Sequence, residues 1–410
     1  MDELRGIYDS CLLEYERLAA LGLSLDMSRG KPGADQLDLS AGLTSALAAD
    51  DYRAEDGTDC RNYGVIDGIL EMKRLFAELM DVRLDEVLAG GNASLSLMYE
   101  SVIRLTGTYP GTNKKFLCPA PGYDRHFSIT EHLGAEMIPI AMTPDGPDMA
   151  AVRGYISDPD VVGIWCVPLY SNPQGIVYSE AVIREMAALS PASPNFRIIW
   201  DNAYMLHTLE EQVPQILNIL RECEKLGNYD MPVVFSSFSK ISYPGAGVCA
   251  MAASPDNLAK MRSHLIIRSI GPDKLNQLRH VRYFKDAANV RRHMQGHAEI
   301  LRPKFQAVLD ALSGRLEGKG IGTWLSPKGG YFIAFETLPG CAARTIALCA
   351  KAGLIMTPAG AAFPYGRDPV DSNIRIAPTF PPMAQLKQAM ELFCTAVELA
   401  ALEKLLSTGE

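Results

Sequence analysis

The chain has 410 residues, 48% of them hydrophobic and 21% charged, with a net charge of −9 and a sequence pI near 5.4. That apolar content excludes general disorder, and the acidic balance argues against a nucleic-acid partner, whose phosphates demand a basic footprint. The length exceeds one ordinary core and predicts two domains. No apolar run approaches ~20 residues, so no membrane span is expected, and the opening Met-Asp-Glu-Leu-Arg has no apolar targeting segment. Nine scattered cysteines, odd in number and never in C-x-x-C spacing, read as reduced thiols of a cytoplasmic protein.

Residues 1 to about 20 place Leu4, Ile7, Tyr8, Cys11, Leu12 and Tyr15 near helical spacing. A loop rich in Gly and Pro follows, Ser28-Arg29-Gly30-Lys31-Pro32-Gly33-Ala34-Asp35. One helix is expected after Asn62–Gly68, and Gly90-Gly-Asn92-Ala93-Ser94 opens another. From about 115 to 250, short apolar segments alternate with polar or amphipathic ones: Lys115–Cys118, Glu136–Ile140, Val161–Val167, Phe196–Trp200, Val233–Ser236 and Val248–Met251. Runs such as VVGIWCV are apolar on both alternating faces, as in strands covered by helices on both sides, which predicts a mostly parallel α/β sheet. A helix over His293–Leu316 then leads to strands at Tyr331–Phe335, Leu354–Met356 and Asn373–Ile376, with helices at about 341–352 and 382–405. This second group predicts a smaller α+β unit, completed by the N-terminal helix.

Ligands of parallel α/β sheets bind beyond the carboxyl ends of the strands. Three such ends carry unusual polar groups: Asn172 in Ser171-Asn-Pro-Gln-Gly, Asp201 in Asp-Asn-Ala-Tyr204, and Lys240 after Phe235-Ser-Ser-Phe-Ser. They lie 29 and 39 residues apart, about one βα repeat each. Alone, Asp201 could cap a helix, Asn172 could belong to a turn and Tyr204 to the core; jointly they suit pyridoxal phosphate. Lys240 supplies an amine for its aldehyde, since apolar surroundings favour the neutral, nucleophilic form. Asp201 would hold the ring nitrogen protonated, Asn172 and Tyr204 would bond the phenolic oxygen, and Tyr123 would stack on the ring. The phosphate would sit at the helix opened by Asn92, Ala93 and Ser94, with Ser237 and Ser239 joining. Arg375, between apolar strand residues in Asn-Ile-Arg-Ile, needs an anion: either an internal carboxylate or the α-carboxylate of an amino acid. His126, His132 and His207 have no metal-ligand spacing and read as core or surface residues.

Taken together, Gly30-Lys-Pro32, Tyr63, Gly91–Ser94, Tyr123, Asn172-Pro, Asp201-x-x-Tyr204, Ser237-x-Ser-Lys240 and Arg375 resemble the fold type I pyridoxal-phosphate enzymes, and within them the class I aminotransferases. The stretches SRGKP, AGGNASLSLMYE, PAPGYDRHF and IGPDKLNQLRHVR look like the divergent bacterial aspartate aminotransferase subgroup. The resemblance implies a mostly parallel sheet of the seven-stranded type in a large domain at 46–295, and a small domain from 1–45 and 296–410. It implies that Lys240 binds the cofactor and shuttles a proton, that the Gly30 loop closes over substrate, and that a homodimer places Tyr63 at the neighbouring subunit's phosphate. The reaction implied is L-aspartate plus 2-oxoglutarate to oxaloacetate plus L-glutamate. One departure is visible: relatives carry an arginine about eight residues after the lysine, whereas Ile241–Val248 contain none, leaving Arg268 and Lys274 as weak replacements. For a distal carboxylate, Arg29 and Arg279 are favoured over Lys31 and Lys274. Another amino donor, or lyase or decarboxylase chemistry on the same scaffold, is the alternative reading; a transcription regulator lacks room here for an N-terminal DNA-binding module.

Overall fold

The computed structural model describes residues 2–408. Its strands, in chain order, are β1 (Leu25–Asp26), β2 (Val87–Ala89), β3 (Lys115–Ala120), β4 (Glu136–Thr143), β5 (Gly146–Pro147), β6 (Val161–Cys166), β7 (Arg197–Asp201), β8 (Pro232–Ser237), β9 (Cys249–Ala253), β10 (Gly322–Trp324), β11 (Ile333–Thr337), β12 (Leu354–Ile355) and β13 (Asn373–Ile376). The main sheet has the order β2-β9-β8-β7-β6-β3-β4-β5, in which seven strands are extended by the two-residue edge strand β5. The pairs β4/β3, β3/β6, β6/β7 and β7/β8 are parallel, while β9 runs against both β8 and β2. Every residue of β6, β7 and β8 is buried, which explains their unbroken apolar runs: helices cover both faces.

The chain leaves β3 for β4 on one side and returns to β6 on the other. This reversal opens a crevice at the carboxyl ends of β3 and β6, where α/β sheets bind their ligands. Beyond the main sheet, β10, β11 and β13 form an antiparallel sheet in which Arg375 lies opposite Ala334. The N-terminal segment joins this later part of the chain: β1 pairs in parallel with β12, and the Asp2–Ala19 helix packs on the Met383–Thr408 helix.

Two expected boundaries shift for visible reasons. The strand expected at Tyr331–Phe335 runs from Ile333 to Thr337, because Gly330 has φ +81° and its backbone lies against Tyr170, which turns the chain before the ladder begins. The long helix starts at Ala287, six residues before His293, where the Asp286 side chain accepts from the Asn289 N–H and caps it. The short strands β2, β5 and β10 lack enough apolar length to stand out in sequence. All nine cysteines are free, eight of them buried. No described helix is long and apolar enough to cross a membrane.

Candidate active site

Four parallel strands deliver the predicted residues to one edge. Tyr123 follows β3, Asn172 follows β6, Asp201 ends β7, and Lys240 lies just beyond β8. Asn172, Asp201 and Tyr204 are buried, and Lys240 is half-buried.

Asp201 is 3% exposed, and its two oxygens differ. Oδ2 lies 3.0 Å from His126 Nε2, whereas Oδ1 has no hydrogen-bond partner among the described residues. The His126 ring stacks on Trp165, with centroids 4.3 Å apart and planes 9° off parallel, and Trp165 in turn donates to Thr130 Oγ1 at 2.9 Å. Tyr123 meets the His126 ring edge-on at 4.9 Å. Thus the column Trp165–His126–Tyr123 fixes one oxygen of the carboxylate and leaves the other without a protein partner. An unpaired buried carboxylate oxygen costs more than a neutral one, so a ligand N–H at Oδ1 would relieve a real penalty. The pyridinium of pyridoxal phosphate has the donor that fits. His126, read from sequence as a core or surface histidine without a role, is the residue that this reasoning missed; its only signal was position, three residues after Tyr123 on a helix face.

Lys240 Nζ lies 5.0 Å from the centroid of the Tyr204 ring and 6.0 Å from that of Tyr331. Burial pushes its pKa below the ordinary lysine value, and Asp201 opposes that shift. The amine is therefore easier to deprotonate than a solvated one, as a nucleophile requires. Its backbone is held from behind. The Lys240 carbonyl accepts from His207 Nε2 at 3.3 Å and from the Tyr331 hydroxyl at 3.4 Å. The next carbonyl, of Ile241, accepts from His293 Nε2 at 2.9 Å and His297 Nε2 at 3.1 Å. Gln36 donates to the Tyr331 hydroxyl at 3.0 Å and contacts His297 Nδ1 at 3.0 Å, so the N-terminal segment reaches the floor of the site.

These histidines make acid stability a test of the floor. Burial pushes His207 down to about 3, with Lys240 adding repulsion, and pushes His297 down to about 4. Each folded value lies below the unfolded one, so the unfolded chain binds more protons in between. Stability is then complete above pH 6.5 and falls as pH drops through the interval down to about 4 and 3. Urea unfolding of the protein followed from pH 7 to pH 4 should lose several kcal/mol; a flat profile would mean that these rings are not buried neutral.

The helix Ser94–Thr106 begins with Ala93 as its N-cap, and Asn92 and Gly91 are exposed in front of it. Ser239 Oγ donates to the Asn92 carbonyl at 3.4 Å, and the Ser239 N–H lies 3.4 Å from Ser237 Oγ. Asn92, Ala93, Ser94, Ser237 and Ser239 thus meet at one helix N-terminus, whose free N–H groups suit a phosphate. Neither proposed replacement for the absent arginine is free. Arg268 pairs with Glu100 at 3.0 Å, and Lys274 donates to the Gly64 carbonyl at 2.9 Å.

Arg375 is 7% exposed and has several partners. Nη1 lies 3.1 Å from Asp124 Oδ1 and 3.3 Å from Asn172 Oδ1, while Nε and Nη2 donate to Thr357 Oγ1 at 3.4 and 3.3 Å. The internal carboxylate weighed from sequence is therefore real, and it is Asp124. Because Asn172 Oδ1 faces Arg375, its amide nitrogen is the end left for a ligand. The guanidinium carbon lies 4.8 Å from the centroid of the Phe332 ring, against which Gly30 packs so closely that a Cβ there would fall 2.4 Å from the ring. Only glycine allows that approach.

Arg29, Arg279 and Tyr63 make no hydrogen bond to Lys240, Asp201 or Arg375 among the described residues. Arg29 is exposed. Arg279 Nη2 donates to Asn276 Oδ1 at 2.8 Å, and its buried Nε has no partner among the described residues. Asn276 in turn holds the Ala246 and Gly247 carbonyls after Lys240. Tyr63 is 81% exposed.

The profile of the family described as "Aspartate amino-transferase" matches residues 2–408. The chain is 42% identical to the aspartate aminotransferase of Corynebacterium glutamicum over 95% of this chain and 92% of that one. A crystal structure of an aspartate transaminase from the same organism superposes with a TM-score of 0.95 at 41% identity, covering 98% of this chain and 97% of the other. The α-aminoadipate aminotransferase LysN of Thermus thermophilus, at 19% identity and a TM-score of 0.77 over 96% and 95% of the two chains, shares the fold.

Proposed function

Because this chain belongs to the aspartate aminotransferase family, we propose that it carries pyridoxal phosphate on Lys240 and converts L-aspartate and 2-oxoglutarate to oxaloacetate and L-glutamate. The observation that carries the reading is the unpartnered Asp201 Oδ1 in the same cleft as the depressed Lys240 amine. The aspartate assignment is supported by the likeness to the Corynebacterium glutamicum enzyme.

When bound, pyridoxal phosphate supplies an aldehyde for the amine and a protonated ring that withdraws electrons from the substrate's Cα. The chain's own residues do the rest. Asp201 Oδ1 holds the proton on the ring nitrogen, with Oδ2 anchored by His126. The Asn172 amide nitrogen and the Tyr204 hydroxyl bond the phenolic oxygen, and Tyr123 stacks on the ring. Ser237, Ser239 and the N–H groups around Asn92, Ala93 and Ser94 hold the phosphate. Lys240 Nζ takes the proton from the substrate's Cα. Arg375 grips the α-carboxylate, and the Gly30 loop, seated on Phe332, closes above it.

We propose the same division as the sequence suggests, with 46–295 as the large domain and 1–45 plus 296–410 as the small one. Tyr63 is exposed beside Val65 (37%), and Ile266, Ile267 and Ile270 are 60%, 86% and 56% exposed. Such solvent-facing side chains support a homodimer in which Tyr63 serves the neighbouring subunit's phosphate.

The test is steady-state turnover with 2-oxoglutarate and either aspartate or alanine as donor. Wild type should prefer aspartate. Arg375→Ala should cut kcat/KM for both donors by about a hundredfold to a thousandfold, since both carry an α-carboxylate. If Arg29 or Arg279 binds the distal carboxylate, its alanine variant should lose at least about tenfold with aspartate only. Equal losses on both donors would remove that role.

A further inference from the structure

Arg375 already has an anion before any substrate arrives. Its Nη1 lies 3.1 Å from Asp124 Oδ1 in a site where the arginine side chain is 7% and the aspartate side chain 27% exposed. The other carboxylate oxygen, Oδ2, lies 3.9 Å from Nε of Arg125, whose side chain is 41% exposed. Asp124 thus stands between a buried cation and an outer one. It is also the first residue of the helix Asp124–His132, where the N-terminal N–H groups favour a carboxylate independently of either arginine.

We propose that Asp124 occupies the seat of the substrate's α-carboxylate on Arg375 in the free enzyme, and that the substrate displaces it toward Arg125. The proposal rests on the reading that Arg375 grips that carboxylate. Its physical basis is the cost of stripping a buried guanidinium of its anion: breaking such a pair from one side is strongly unfavourable. An internal carboxylate keeps Arg375 neutralised between turnovers. The incoming carboxylate then exchanges one ion pair for another rather than being the first to neutralise the cation. The exchange has three parts ready: Thr357 Oγ1 holds Nε and Nη2 in place, Arg125 lies 3.9 Å from the far carboxylate oxygen, and the helix N-terminus retains Asp124 after it turns. The consequence is a weaker apparent affinity for every α-carboxylate ligand, because only the fraction of enzyme with Arg375 vacated is competent.

Two variants test this. In Asp124→Asn the competitor loses its charge, so KM for aspartate and for alanine should fall together by about fivefold, with the change confined to KM. The Kd of the unreactive dicarboxylate succinate, measured by calorimetry with and without pyridoxal phosphate, should fall by the same factor. Arg125→Ala, a change at the surface, removes the outer resting place and should raise both KM values by about threefold; it carries the test if Asp124→Asn fails to fold. An active enzyme whose Asp124→Asn variant binds succinate equally or less well overturns the exchange, as does an Arg125→Ala variant with unchanged KM. A wild-type chain that neither turns over aspartate nor binds succinate sinks the underlying assignment, and the proposal with it.

Discussion

Lys240→Ala should abolish transamination, with a loss of at least about ten-thousand-fold in kcat. On the proposed reading two functions vanish together: the covalent attachment and the base that moves the Cα proton. No neighbour can substitute. Tyr204 and Tyr331 are the aromatic groups nearest the amine, and burial pushes both hydroxyls well above the neutral range. His207, behind the Lys240 carbonyl, is held neutral by burial, and its Nε2 is engaged with that carbonyl. A second readout separates lost chemistry from lost folding. Borohydride treatment of the wild-type protein loaded with pyridoxal phosphate should fix the cofactor to the peptide containing Lys240, and the variant should retain no fixed label. A colourless wild type that takes up no pyridoxal phosphate would overturn the assignment entirely.

Asp201→Asn should reduce kcat/KM by about a thousandfold, a difference of about 4 kcal/mol. The argument is one of charge at a fixed point. The carboxylate is buried, His126 holds Oδ2 at 3.0 Å, and Oδ1 is left without a protein partner. In that low-dielectric setting the negative charge would keep the ring nitrogen of the proposed cofactor protonated; an amide of the same shape supplies no charge and presents either an oxygen or an NH2 group there. His126→Asn should cost much less, about tenfold, because it loosens the carboxylate without removing it. Combined with Asp201→Asn it should add little, since both act through one carboxylate. The absorbance of the bound cofactor gives a readout beyond rate: its pH dependence should shift in Asp201→Asn and less in His126→Asn. A loss below about tenfold in Asp201→Asn would exclude a charge role for this residue.

Much of the fold and the site was legible in the amino-acid order. The strands β3, β6, β7, β8 and β9 are visible because a sheet covered on both faces needs unbroken apolar segments, and the residues just beyond them stand out by contrast. The order Asn172, Asp201, Tyr204, Lys240 follows from the βα repeat, which returns each strand end to the same edge. Arg375 was conspicuous because a cation between apolar strand residues requires an explanation.

Tertiary structure alone decided what each of those groups touches. Whether Arg375 meets an internal or an external anion depends on Asp124, 251 positions away in sequence. The partner of Asp201 is a histidine 75 residues earlier that has no motif of its own. The clasp behind Lys240 joins His207, His293, His297, Tyr331 and Gln36, drawn from four separate stretches of chain. Periodicity reports which face of an element is buried, because that depends on neighbours along the chain. It carries no record of which distant side chain will fill the space opposite, because that is set by packing among elements whose relative placement the local pattern leaves open.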